Sequence, residues 1–312
     1  MTTLKEISFI DLYLGPDYAE LKGMSGASSY LIDLPDGCNE DALILKQKCV
    51  DYLHNTAKTE FALFYDDRLY RVTVSSNIFG GENFVIRQTP ANIIPFTDIP
   101  FTSIIRRSVE LTGATGLFLI AGEMGSGKTT TASSVLQHRI LTTSNLGVSI
   151  EDPIETLLQG RHGNGRCLQL EVGENETYAT ATKKAWRMGA TSFLLGEIRD
   201  GPTAHEVLKA SLSMFVVSTI HASSITEAIE RYIMFCEEIN NSSKAIVANT
   251  LFIVAHQTMM LTKRGDVFAG RAIDINAYNL KNCQQAHAIR TKIAQGSYQA
   301  LSDEFSGIKY TL

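Results

Sequence analysis

Leu117-Phe118-Leu119-Ile120-Ala121 runs directly into Gly122-Glu123-Met124-Gly125-Ser126-Gly127-Lys128-Thr129, and a helix-capable stretch from Thr130 to Leu141 follows. The eight residues from Gly122 match G-x-x-x-x-G-K-[ST] in full. Their context carries as much weight as the string. A short apolar run reads as a buried parallel strand. Such a strand aims the loop at the N-terminus of the next helix, where unpaired N–H groups and the helix dipole favour a phosphate. Gly122, Gly125 and Gly127 allow the backbone to curl without Cβ clashes. Lys128 is spaced to reach β- and γ-phosphates, and the Thr129 hydroxyl to reach Mg²⁺. Together with Glu123, Met124, Ser126 and Thr130, these residues form the expected cradle for a nucleoside triphosphate.

Outward from the loop, strands and helices alternate. Strands are expected over 116–121, 147–151, 192–197 and 214–219, and helices over 102–112, 128–142, 177–188, 202–212 and 224–237. That alternation predicts a parallel sheet covered on both faces. Residues 241–256 read as helical, 257–276 as one or two further strands, and 279–294 as a last helix.

The first hundred residues lack this pattern. Ala42, Leu45, Cys49 and Leu53 recur at helical spacing within 39–56. Two strand-like runs, 60–65 and 69–75, flank Asp66-Asp67, which reads as a hairpin turn. A third run covers 83–88. Pro90, Pro95 and Pro100 then mark a stiff connector. The expected division is an α+β domain over 1–97 and an α/β domain over 98–312.

Three further strand ends carry chemistry. Ile150-Glu151-Asp152-Pro153-Ile154-Glu155 places carboxylates where they can orient a water or hold Mg²⁺. Gly196-Glu197-Ile198-Arg199-Asp200 ends another apolar strand in an acid. Thr219-Ile220-His221-Ala222-Ser223-Ser224 ends a third in a histidine. A lone strand-end histidine is more often a hydrogen-bonded core or loop residue. Convergence of three such ends on one phosphate site favours a functional role for this one.

Bulk properties narrow the class. The chain has 312 residues, enough for two cores, and its formal net charge of −5 argues against a wholly basic nucleic-acid surface. No apolar run approaches the ~20 residues that span a bilayer, and Met1 to Asp11 lacks a signal-peptide pattern. These features predict a cytoplasmic protein. The five scattered cysteines form no C-x-x-C pair, so neither zinc nor a disulfide framework is expected.

In this order, the four motifs resemble those of the PilT-like, DotB-like and conjugation-type traffic ATPases of the type II/type IV secretion superfamily. The first hundred residues show a weaker likeness at Ile10 to Leu14, at Tyr70-Arg71-Val72-Thr73 and at Val85-Ile86-Arg87-Gln88-Thr89-Pro90. The likeness extends over residues 5 to about 260. The chain departs from the family pattern at Gly189-Ala190-Thr191, where relatives carry D-P-D, and at Gln257-Thr258-Met259-Met260, where they carry Q-x-L with an arginine-rich stretch. The resemblance implies a RecA-like phosphate-loop ATPase domain behind a smaller, PAS-like α+β domain. It implies a homohexamer that hydrolyses Mg-ATP at the cytoplasmic face of an inner-membrane secretion, conjugation or pilus machine, without sequence-specific nucleic-acid binding. By the same resemblance Glu151 orients the attacking water and Glu197 organises Mg²⁺ with Thr129. His221 senses the γ-phosphate, and Arg71 and Arg87 reach a neighbouring subunit's nucleotide. A RecA-like nucleic-acid motor or packaging ATPase, and a non-hydrolysing scaffold that holds ATP, remain alternatives.

Overall fold

A computed structural model describes residues 3–310 apart from 25, 90–91, 174–175 and 265–266, with backbone alone for the rest of 261–271. The chain divides into two compact units, Met1–Asn92 with Asp152–Leu157, and Ile93–Glu151 with Leu158–Leu312. The acidic segment after residue 151 therefore groups with the first unit, which no composition change announces.

The first unit contains β1 (Asp11–Leu14), β2 (Ala19–Lys22), β3 (Leu31–Asp33), α1 (Asn39–Thr56), β4 (Glu60–Tyr65), β5 (Arg68–Ser76) and β6 (Glu82–Gln88). Its six strands form an antiparallel sheet in the order β3-β2-β1-β6-β5-β4. Ala42, Leu45 and Cys49 form the buried stripe of α1, sharing a core with Leu12, Phe61, Tyr70, Val72, Phe84 and Ile86. The hairpin at Asp66-Asp67 is present, with φ of 46° and 58°. Aspartate tolerates the left-handed turn, and the two carboxylates share Lys5 at 3.3 and 2.7 Å.

The second unit runs through α2 (Ser103–Glu110), β7 (Gly116–Gly122), α3 (Lys128–Thr143), β8 (Leu146–Glu151), β9 (Gly160–His162), β10 (Gly165–Glu171), α4 (Tyr178–Arg187), β11 (Ser192–Ile198), α5 (Gly201–Ser211), β12 (Phe215–His221), α6 (Ile225–Glu237), α7 (Ser243–Thr250), β13 (Leu251–Arg264), β14 (Val267–Asn279), α8 (Ala286–Gln295) and α9 (Leu301–Ser306). The sheet order is β14-β13-β7-β12-β11-β8-β10-β9, with parallel pairing from β13 through β10 and an antiparallel strand at each edge.

The central strand β7 is buried at every position. Leu117, Leu119 and Ala121 join a core with residues from α4 to α9, whereas Phe118 and Ile120 join one with α2 and α3. This is the doubly covered parallel sheet that the alternating pattern predicts. Arg139 of α3 is almost fully buried. Its guanidinium donates to the carbonyls of Val109 (2.6 Å) and Leu111 (2.5 Å), satisfying the end of α2, and lies over the Phe215 ring. Burial lowers its pKa to about 10, still well above physiological pH.

Two readings need correction. The helix expected over 241–256 stops at Thr250, and β13 begins at Leu251. Leu251-Phe252-Ile253-Val254-Ala255 is β-prone and buried, and it pairs in parallel with β7. The helix expected over 279–294 begins only at Ala286, because β14 runs on to Asn279. The proline connector is also partly built into the second unit. Phe96, Ile99 and Phe101 are buried there, and Arg106 donates to the carbonyls of Thr97, Ile99 and Phe101. Pro90 lies outside the described residues.

Candidate nucleotide-binding site

β7 ends at Gly122, and α3 starts at Lys128, so the loop between them occupies the carboxyl edge of the sheet. Gly127 caps α3 with φ +87°, a conformation open to glycine at little cost. A Cβ on Gly122 would meet the Gln257 carbonyl oxygen at 2.3 Å and Ser126 Oγ at 2.7 Å, so only glycine fits there. The loop borders a cleft of about 370 Å³ lined by Glu123, Met124, Gly125, Ser126, Gln257, Thr258 and Met259. Ser126 Oγ is buried with no hydrogen-bond partner among the described residues. An unpaired hydroxyl within a glycine-built cradle suits a phosphate oxygen.

Lys128 is 7 % exposed. Its ammonium donates to the carbonyls of Gly122 (3.0 Å) and Glu123 (2.8 Å) and lies 3.3 Å from His221 Nδ1. Lysine has no acceptor, so His221 Nδ1 accepts and Nε2 carries the proton. Nε2 in turn lies 2.8 Å from Glu197 Oε1, and Arg199 Nε donates to Glu197 Oε2 at 3.3 Å. The expected loop lysine, strand-end acid and strand-end histidine thus form one connected chain. A register shift between Leu194 and Glu197 in the β11–β12 pairing re-aims the end of β11. Gly196 admits the Tyr178 hydroxyl, which a Cβ would meet at 2.5 Å.

Thr129 and Thr130 are half-buried in the first turn of α3, and Met124 is exposed. Glu151 ends β8 and is 2 % exposed. Its Oε1 accepts from the Ser149 hydroxyl and from Gln169 Nε2 at 3.3 Å.

Arg71 and Arg87 lie in the first unit, opposite each other on β5 and β6. Arg71 pairs with Glu155 at 2.6 Å. Arg87 Nε donates to Asp11 Oδ1 at 2.8 Å, and Lys22 also reaches Asp11, at 3.3 Å. Burial alone would raise the Asp11 pKa, but Arg87 and Lys22 outweigh it and hold the carboxyl below its ordinary value.

Sequence reading met Gln257 only within a stretch that departs from the family pattern and gave it no role in the site. It is 1 % exposed, donates from Nε2 to the Ser126 carbonyl at 2.5 Å and accepts from Thr131 Oγ1 at 2.7 Å. A lone glutamine on a strand has no spacing signature. The cue would have been that a parallel strand beside β7 must pass the loop where β7 ends.

Comparison with known proteins agrees with this architecture. The chain is 29% identical over 178 residues to the type IV pilus ATPase PilU of Pseudomonas aeruginosa, covering 54% of this chain and 46% of that one. It is 28% identical over 207 residues to the type IV pilus retraction ATPase PilT of the same organism, covering 65% and 58%. The chain spans about half the length of these curated relatives. Among solved structures, the pilus retraction motor PilT with bound ADP superposes with a TM-score of 0.76 at 23% identity, over 96% of this chain and 86% of that one. The DotB ATPase of Legionella pneumophila gives 0.71 at 17% identity, over 94% and 84%. At these identities the likeness establishes the shared fold alone. The family model described as "Type II/IV secretion system protein" matches residues 70–303, which take in the phosphate loop, Glu151, Glu197 and His221, and the chain belongs to that family.

Proposed function

We propose that the protein is a Mg²⁺-dependent ATPase that drives a secretion, conjugation or type IV pilus machine. The observation that carries this reading is the chain from Lys128 through His221 to Glu197 at the mouth of the glycine cradle. It joins the residue suited to the β- and γ-phosphates to an acid suited to organising a cation. Gly125, Ser126, Gly127 and Lys128 hold the phosphates, and Thr129 and Glu197 hold Mg²⁺. When bound, Mg²⁺ neutralises charge on the phosphate oxygens. Glu151 orients the attacking water, with its carboxylate steadied by Ser149 and Gln169. His221 reports the state of the γ-phosphate position from Lys128 to Glu197. Phosphoryl transfer depends mainly on positioning and electrostatics, so a distributed set of side chains suffices.

In this reading the active form is a homohexamer. Arg71 and Arg87 act on the nucleotide of an adjacent subunit, and the ring works at the cytoplasmic face of the inner membrane against proteins of the machine. Domain movement converts hydrolysis into force. Among the described residues no helix is long and apolar enough to cross a membrane. The test is phosphate release from Mg-ATP, with and without DNA. Turnover that requires Mg²⁺ and is indifferent to DNA is expected. Turnover that appears only with DNA would contradict this reading in favour of a nucleic-acid motor.

A further inference from the structure

We propose that Gln257 is a positioning residue for the phosphate loop, fixing the peptide between Ser126 and Gly127 so that the Gly127 N–H faces a bound phosphate. This rests on the nucleotide-binding reading above. In the β13–β7 pairing His256 stands opposite Ala121, so Gln257 is the first residue of β13 past that pair. From there one residue touches both ends of the loop. Its backbone oxygen lies against Gly122, leaving no space for a Cβ. Its side chain spans from the Ser126 carbonyl to the Thr131 hydroxyl.

The consequence follows from peptide geometry. Asp152-Pro153 is the cis bond among the described residues, so the 126–127 peptide is trans. In a trans peptide the C=O and the following N–H point in opposite directions. Gln257 Nε2 draws the Ser126 carbonyl toward β13, which turns the Gly127 N–H away from β13. Gly127 has φ +87° and no side chain, so little else in the residue resists rotation of this peptide. Met259 Cε and Gln257 Nε2 lie 3.1 and 3.0 Å from where a Gly127 Cβ would be, so β13 closes that side of the loop.

This role requires a glutamine. One buried side-chain tip must donate to a carbonyl and accept from a hydroxyl. Methionine and leucine can do neither well, and asparagine is one methylene shorter. The Ser126 carbonyl selects the amide orientation, because it can only accept, which leaves Oε1 to take the Thr131 hydroxyl.

The experiment measures MgADP affinity by calorimetry and thermal stability without nucleotide. The proteins are the parent, Gln257→Met, Thr131→Val and the double variant. Gln257→Met is expected to weaken MgADP at least tenfold, and Thr131→Val a few-fold. The double variant removes both partners of the buried Gln257–Thr131 bond, so its nucleotide-free stability returns toward that of the parent. Its MgADP affinity stays low. Recovery of affinity together with stability would reduce Gln257 to a packing residue and overturn the proposal. So would affinities within twofold of the parent in both Gln257→Met and the double variant. If Gln257→Met does not fold, the double variant and Thr131→Val carry the comparison. A parent that binds no MgADP would instead defeat the nucleotide-binding reading itself.

Discussion

His221 Nε2 lies 2.8 Å from Glu197 Oε1, while the other ring nitrogen faces Lys128 at 3.3 Å. The imidazole therefore bridges the ends of β11 and β12 to the phosphate loop, with one nitrogen donating and the other accepting. A ring fixed in one tautomer at both nitrogens is suited to relay a change at Lys128 to Glu197.

Removal of that bridge is the first prediction. His221→Ala should lower kcat on the order of 10²-fold while KM for Mg-ATP changes by only a few-fold. Steady-state phosphate release checks this. An unchanged kcat would leave His221 a packing residue at a strand end.

The two strand-end acids should separate kinetically. Glu151→Gln should bind Mg-ATP nearly as well as the parent and lose on the order of 10² or more in turnover. Glu197→Gln should instead raise the Mg²⁺ concentration needed for half-maximal activity. Full activity in Glu151→Gln would show that the water is oriented by another group.

Asp11 supplies a prediction about pH. Its pKa lies below the ordinary 3.8, so folded protein binds fewer protons there than unfolded chain, and the stabilisation is present above about that value. It is lost as pH falls through the lowered folded value. Asp11→Asn should destabilise the first unit by about 1–3 kcal/mol at neutral pH, because it leaves Arg87 without its anionic partner. Hydrogen exchange over β1 and β6 should show faster opening at pH 7, with the gap to the parent narrowing as the parent's own Asp11 protonates below pH 3.8. Equal protection at pH 7 would mean that the pair contributes no stability.

The fold of the second unit was largely legible because its strands are uninterrupted apolar runs, and the phosphate loop is a local pattern with a local cause. Leu251 to Ala255 escaped because a short buried run has the same composition in a helix as in a strand, and its partner β7 lies more than a hundred residues away. Non-local pairing also hid Asp11 behind Arg87 and Glu155 behind Arg71. The Lys128–His221 contact could be anticipated because parallel strands deliver their carboxyl ends to one edge. Gln257 could not, since its role depends on which strand lies beside β7.

Subunit sharing predicts complementation. In the ring proposed above, Lys128→Ala and Arg71→Ala damage opposite sides of one composite site. Each variant alone should be inactive or nearly so. After demonstrated subunit exchange, a mixture should regain a fraction of parental activity, since some interfaces then combine an intact Lys128 with an intact Arg71. Light scattering with Mg²⁺ and an ATP analogue should give about six subunits, the number the family resemblance implies. A monodisperse monomer, or a mixture no more active than its parts, would rule out a shared site.

The most direct test of the account is Mg-ATP hydrolysis by the parent and by Lys128→Ala. The side chain of Lys128 meets loop carbonyls and His221, and its loss leaves the apolar core of the sheet untouched. The account predicts Mg²⁺-dependent phosphate release by the parent and a loss on the order of 10² or more in the variant, with little change in thermal stability without nucleotide. Added stability from Mg-ATP, which follows the logarithm of its concentration over Kd, should shrink in step. A parent that releases no phosphate above background, or a Lys128→Ala variant as active as the parent, would contradict it.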